Sequence, residues 1–188
     1  MFSATQTLVQ VESPDTRSLL DRARAGDSEA FGELCVEHEG RLLRQAMTLC
    51  GDAAMAEDLA QEALVEAWRG LGRYNGRCQF FTWLCAILLN RFRNALRARR
   101  PLPAGVEAGE REHEAPAPDE AVVASERAAL VRRRLAELPE KHRQVIFLRF
   151  YVDDSLPEIA AAVGCSVGTV KSRLFHAMEK LRRMNLDR

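Results

Sequence analysis

A single glycine between two helical runs constrains this chain more than any other feature. Asp153–Leu181 reads DDSLPEIAAAVGCSVGTVKSRLFHAMEKL. Ser155 can accept from a free N–H of a first helical turn, and Pro157 just inside that turn gives up no bond the helix would have made. The run that follows is apolar at Ile159, Ala160 and Val163 and stops at Gly164, where glycine permits the left-handed backbone of a tight turn. Ser166 can cap a second helix, in which Val167, Val170, Leu174, Met178 and Leu181 recur at steps of three and four. On a helical wheel these positions and Ala177 share one side, while Thr169, Ser172, Arg173, His176 and Lys180 share the other. Two helices, a glycine turn and a basic, hydroxyl-rich outer face make a helix-turn-helix. Its first-turn amides and hydroxyls suit phosphates, and its Arg and His suit base edges in a major groove. An αα-hairpin whose charges simply face water has the same periodicity. The small Ala160, placed where the two helices must cross closely, favours the DNA reading.

Charge is divided along the chain. Residues 1–100 carry 13 basic and 13 acidic side chains, residues 101–120 one Arg against six acids, and residues 121–188 13 basic against eight acidic. Only the last block is electrostatically prepared for nucleic acid, and a net charge of zero argues against a protein that coats DNA unaided. No apolar run reaches the length of a membrane span, and MFSATQTLVQVESPDTRS lacks the basic and apolar regions of a secretory signal, so a soluble cytoplasmic protein with no membrane partner is expected. The five cysteines, Cys35, Cys50, Cys78, Cys85 and Cys165, form no C-x-x-C pair. Small buried apolar residues in a reducing compartment is the reading their spacing favours, with no metal site and no cofactor.

The remaining segments are helical. Residues 1–16 lack periodicity and are expected to be a flexible leader. From Thr16, Leu19, Leu20 and Ala23 form a short apolar face. GDSEAFGELCVEHEGRLLRQAMTLCG follows as one or two helices, with Phe31, Leu34, Leu42, Leu43, Met47 and Leu49 apolar and Asp27 or Ser28 as cap. After Gly51-Asp52, AAMAEDLAQEALVEAWRGL places Met55, Leu59, Ala63, Ala67 and Leu71 in one stripe. The opposite face holds Asp58, Gln61, Glu62, Val65 and Glu66. Val65 amid acids is an apolar centre with a charged rim, which fits protein docking better than a purely solvated face. GRYNGRCQ is a loop. FFTWLCAILLNRFRNALRARR is a helix with Phe80, Leu84, Ile87, Leu88, Phe92 and Leu96 inside and Trp83, Asn90, Arg93, Asn94 and Arg97 outside. Tryptophan beside amides and guanidiniums suits single-stranded nucleic acid. Alternatively, Trp83 turns inward under the loop at 72–79. Residues 101–121 are a Pro/Gly/Glu-rich tether with too little apolar surface to fold alone. Two more helices follow, ASERAALVRRRLAELP with Leu130, Val131, Leu135 and Leu138, and EKHRQVIFLRFYV with Val145, Ile146, Leu148 and Phe150. His142 has no ligand-spaced neighbour and reads as a surface or capping residue. With the helix-turn-helix these make a compact four-helix domain, so the chain as a whole is all-α.

Several of these words resemble the extracytoplasmic-function sigma factors, small members of the sigma-70 family. GCSVGTVKSRLFHAMEKL looks like the promoter-reading helix of their region 4, and LPEKHRQVIFLRF resembles region 4.1. AEDLAQEALVEAW is similar to region 2.2, which clamps the β′ coiled coil of core RNA polymerase, through Glu57, Asp58, Leu59, Gln61, Glu62 and Trp68. F-x-x-W-L and the later asparagine, here Phe80, Trp83, Leu84 and Asn90, match regions 2.3 and 2.4, which melt and read the −10 element. The resemblance gives the loop Arg73–Gln79, including Tyr74 and Asn75, the capture of a flipped base. CAILLNRFRN is more apolar than the commoner family pattern. The likeness covers residues 17–100 and 126–184, and implies a leader (1–16), region 2 (17–100), an acidic linker (101–121) and region 4 (122–188).

By this resemblance the chain directs core RNA polymerase to promoters and has no catalytic chemistry of its own. Its implied partners are the β′ coiled coil and β flap of core, promoter DNA both duplex and single-stranded, and an anti-sigma factor, a partner common in the family. Glu57, Asp58, Leu59, Gln61, Glu62, Val65 and Trp68 would dock on core. Tyr74, Asn75, Trp83, Asn90, Arg93, Asn94 and Arg97 would hold the opened −10 strand. Lys171, Ser172, Arg173 and His176 would sit in the −35 major groove, with Thr169 and Lys180 on phosphates. A stand-alone helix-turn-helix regulator is the alternative, but it has no use for AEDLAQE or FFTWL. A redox protein using the cysteines finds no support in their spacing.

Overall fold

The computed structural model describes residues 12–98 and 119–186, the side chains of 119–125 and 185–186 excepted. These residues form eight α-helices and no strand. They are α1 (Pro14–Arg24), α2 (Ser28–Cys50), α3 (Ala53–Gly70), α4 (Phe80–Ala98), α5 (Asp119–Ala136), α6 (Glu140–Phe150), α7 (Leu156–Val163) and α8 (Val167–Leu186), with a 3-10 turn at Leu71–Arg73. The leader expected at 1–16 lies outside the described residues up to Val11. Its last part is ordered, because Ser13 caps α1 through the Thr16 N–H and Thr16 is buried. The tether expected at 101–121 lies outside them up to residue 118.

Local chemistry sets the helix ends. Asp27 caps α2 by accepting from the N–H groups of Glu29 and Ala30, and the segment expected as one or two helices is one. Asp52 caps α3 through the Met55 N–H. Ser155 and Glu158 form a reciprocal capping box at α7. Gly164 ends α7 at φ 66°, ψ 43°. Ser166 caps α8 by accepting from the Thr169 N–H at 3.1 Å.

Helices α1–α4 pack around Leu34, Leu42, Leu59, Leu84 and Leu88, all nearly inaccessible. The expected α3 stripe of Met55, Leu59, Ala63, Ala67 and Leu71 is wholly buried. Helices α5–α8 make the second group, with α8 packed on α5, α6 and α7.

These two groups are not separate in this structure. Helix α4 packs on α6 and α7, and one apolar core runs through both groups. That contact bears on two departures from the wheel readings, except at Phe81, which packs on His38 and under the Arg41 guanidinium of α2. Phe81, Cys85 and Leu89 of α4 are buried besides its expected inner face, and Val145, Ile146, Phe147 and Leu148 of α6 are buried consecutively. A helix packed on two sides loses the single-stripe pattern. Phe150, expected among the apolar positions of α6, is 60% exposed, because it lies in the last turn beyond those contacts.

Candidate functional site

Three surfaces carry the residues singled out from sequence. The first is the outer face of α3. Its inner stripe fixes the helix, so Glu57, Asp58, Gln61 and Glu62 stand in solvent around Val65, itself 50% exposed. A shallow groove follows this face and is edged by Arg69, Arg73 and Arg91. Glu66 is paired with Arg91, so one acid of the rim is already neutralised. Trp68 is partly exposed and rests on Phe31, with ring centroids 4.9 Å apart. Leu59 does not belong to this surface. It is 2% exposed and points into the core, as its place in the apolar stripe requires.

The second surface is the loop before α4 and the helix's outer side. Asn75, Arg77, Asn90, Asn94 and Arg97 are exposed. Tyr74, expected to face DNA, is buried instead. Its hydroxyl, with one proton to give, lies between two acceptors, the Cys78 carbonyl at 2.7 Å and the Glu12 carboxylate, and Arg24 donates to the Tyr74 carbonyl. Burial holds the Tyr74 hydroxyl far above the ordinary phenol range, with Glu12 adding to the shift, so it stays a neutral donor. Trp83 is half-buried, 5.3 Å from the Tyr74 ring and 5.8 Å from the Phe80 ring. The inward alternative is therefore the one adopted, and the indole props the loop from beneath. Arg93 is not free for phosphate here, because it pairs with Glu140 of α6. Glu12 also accepts from the Phe80 N–H, capping α4 from outside the helix. Nothing in an aperiodic leader marks that residue in the sequence.

The third surface is α8. Lys171, Ser172 and His176 are exposed, Arg173 and Thr169 half-buried, and Val170 and Ala177 hold the inner side. Met178 and Val167, expected inside, are 44% and 36% exposed. They lie at the margins of the narrow strip that α5, α6 and α7 cover. Phe175, unmarked by the wheel, is 65% exposed. Lys180 donates to the Glu137 carbonyl at 3.1 Å, so it anchors the end of α5. His142 is half-buried and stacks on His176 at 6.3 Å. Burial, followed by the charges of His176, Lys180 and Arg173, lowers its pKa and favours the neutral ring.

All five cysteines are free. Burial raises the pKa of Cys35 and Cys85, and pushes the Cys78 thiol up to about 12, so these three stay protonated at neutral pH. Among the described residues no helix is long and apolar enough to cross a membrane.

Comparison with known proteins identifies the family. The family described as Sigma-70 region 2 matches residues 34–101, and Sigma-70, region 4 matches residues 134–183. The RNA polymerase sigma-H factor of Pseudomonas aeruginosa is 34% identical over 175 residues, 88% of this chain and 91% of that protein. The ECF RNA polymerase sigma-E factor of Escherichia coli is 35% identical over 175 residues, 87% and 90% respectively. Among solved structures, CnrH in complex with the cytosolic domain of CnrY superposes with a TM-score of 0.65 at 30% identity, covering 92% of this chain and 97% of that one. RpoE of Bartonella quintana, in complex with the anti-sigma factor NepR, shares the fold at a TM-score of 0.54 and 24% identity, over 84% of this chain and 98% of that one.

Proposed function

The chain belongs to the extracytoplasmic-function sigma factors of the sigma-70 family, and from that membership we propose that it brings core RNA polymerase to promoters by docking through α3, reading a −35 element with α8 and opening a −10 element with the loop 73–79 and α4. The observation that carries this reading is the α3 face. An apolar Val65 ringed by Asp58, Gln61 and Glu62 is an accessible protein-docking patch that a solitary DNA-binding regulator would not need. The β′ coiled coil is the proposed partner there, with Glu57 and Trp68 at its margins.

On α8, Lys171, Ser172, Arg173 and His176 are the proposed groove contacts, and Thr169 a phosphate contact. Asn75, Asn90, Asn94 and Arg97 are the proposed −10 contacts. Arg93 joins them once freed from Glu140. Trp83 and Tyr74 shape the loop from within and meet DNA only if it rearranges. Extruding a base costs a few kcal/mol, which stacking and edge contacts must offset. Polymer synthesis is left to core. The β flap and an anti-sigma factor complete the proposed partners, the latter because RpoE is described in complex with the anti-sigma factor NepR.

Run-off transcription with purified core, this protein and genomic promoter fragments tests the reading. New start sites that depend on the protein, and that weaken at least tenfold with Asp58→Ala combined with Gln61→Ala, are expected. Tight duplex binding without core and no new transcript would instead identify a stand-alone regulator.

A further inference from the structure

Two histidines from different helices meet at the groove-reading side of α8. His142 of α6 stacks on His176 of α8, with ring centroids 6.3 Å apart and planes 22° apart. His142 is half-buried, and its Nδ1 is inaccessible to solvent and has no hydrogen-bond partner. His176 is exposed. Its Nδ1 lies 3.9 Å from the Glu179 carboxylate, one turn further along α8, and the Phe175 ring meets it edge-on at 5.4 Å. The α6 ring is thus the floor on which an exposed imidazole of α8 rests.

The floor is uncharged for a geometric reason. Protonating His142 would place an N–H on the buried Nδ1 with nothing to accept it. Burial, then the charges of His176, Lys180 and Arg173, lower its pKa in the same sense. The acids of the elements packed around it are engaged elsewhere. Glu140 of α6 pairs with Arg93 of α4, Glu137 at the end of α5 with Arg134, and Glu158 of α7 with Ser155. On α6 itself Lys141 is exposed, and Arg143 lies over the Phe92 ring. His176 is left as the ring of the pair that can be charged, with Glu179 beside it. Charging an imidazole inverts what it offers a base. With Nδ1–H toward Glu179, a neutral ring presents Nε2 as an acceptor, which suits the amino group of adenine or cytosine. The charged ring presents Nε2–H as a donor, which suits N7 or O6 of guanine.

We propose that His142 is a positioning residue for promoter reading: its uncharged ring backs His176, holds that imidazole toward the −35 groove, and makes the base selected there depend on whether His176 carries a proton. This rests on the sigma-factor reading above. Holding a side chain in its bound orientation beforehand removes its ordering cost from the encounter with DNA. Any flat aromatic ring at position 142 can supply the floor, whereas a short aliphatic side chain cannot.

Holoenzyme titrated at pH 6 and pH 8 against promoter duplexes with each base in turn at every −35 position tests this. At one position the wild type is expected to favour adenine or cytosine at pH 8, and to shift several-fold toward guanine at pH 6. His142→Ala is expected to flatten that preference at both pH values, and His142→Phe to keep it. In a His176→Ala background, His142→Ala should change nothing further. A preference that survives His142→Ala, that is equal at both pH values in the wild type, or that is lost equally with His142→Phe would overturn the proposal. If His142→Ala does not fold, His142→Leu, which fills the space without a flat ring, decides by the same readouts. Imidazole NMR titration of the full chain should show the His142 midpoint rising in His176→Ala, and an unchanged midpoint would overturn the coupling of the two rings. Absence of protein-dependent transcripts from every variant and the wild type would refute the sigma-factor reading, while the NMR midpoints would still decide whether the rings are coupled.

Discussion

Glu12 joins parts of the chain that lie more than sixty residues apart. Its carboxylate caps the first N–H of α4 and accepts from Tyr74, whose ring carries Trp83 and Phe80. The loop proposed to capture a base is therefore held from below by a residue that precedes the first helix. Glu12→Ala removes both acceptors and is expected to cost about 1–3 kcal/mol of stability, read by thermal unfolding. It should also weaken binding of holoenzyme to single-stranded −10 DNA, and Glu12→Gln, which keeps an acceptor, should recover most of both losses. Equal stability and equal DNA affinity for Glu12→Ala would show that the loop holds itself. Tyr74 illustrates why such residues escape a sequence reading. Glycine, asparagine and arginine around it signal a loop, but its burial depends on Glu12, Arg24 and Trp83 together. Periodicity carries no trace of contacts at that separation.

At the scale of elements, the helix-turn-helix was the most legible part, because its signals are local. Ser155, Pro157, Gly164 and Ser166 each act on the backbone within a few residues. Gly164 has room for a methyl group but sits at φ 66°, so Gly164→Ala is expected to cost about 1–2 kcal/mol through backbone strain. For a chain of this length that lowers the melting temperature by roughly 2–8 °C, at about 2–4 °C per kcal/mol. An unchanged melting temperature would mean that the turn relaxes freely. On α8, Arg173→Ala is expected to weaken −35 binding by about 1–3 kcal/mol if the guanidinium reaches a base edge. Holoenzyme titration against −35 variants checks this, and an unchanged affinity removes Arg173 from the contacts. α4 and α6 were less legible. Wheels found α4's inner face but not Phe81, Cys85 and Leu89, nor the full burial of Val145–Leu148 in α6. Each of these helices meets a second partner across the interface, and one sequence period cannot encode two faces clearly.

For the whole molecule, the packing of α4 on α6 and α7 is sensitive to pH. Burial raises the Asp154 pKa to about 7, against an ordinary value of 3.8, with Glu158 and Asp153 raising it further and Thr82 and Arg41 opposing. Arg149 binds the Asp154 carbonyl, and Cys85 of α4 is protonated nearby. The packed arrangement therefore holds the Asp154 proton more tightly than one in which the carboxyl meets water. Its stability is greatest below about pH 4, falls as pH rises between the two values, and stays low above about 7. Solution scattering at pH 5.5 and pH 8 should show the more open chain at pH 8, and Asp154→Asn should remove most of that difference. Equal pH dependence in the variant would place the titrating group elsewhere. Division into a docking face, a melting face and a groove-reading helix remains the central claim for this molecule. Permanganate and nuclease footprinting of holoenzyme on one dependent promoter tests it most directly. The expected pattern is joint protection of both elements with reactive thymines confined to the −10 region, and loss of only the −35 protection with Arg173→Ala. Protection of a single site by the protein without core, with no reactive thymines, would contradict it.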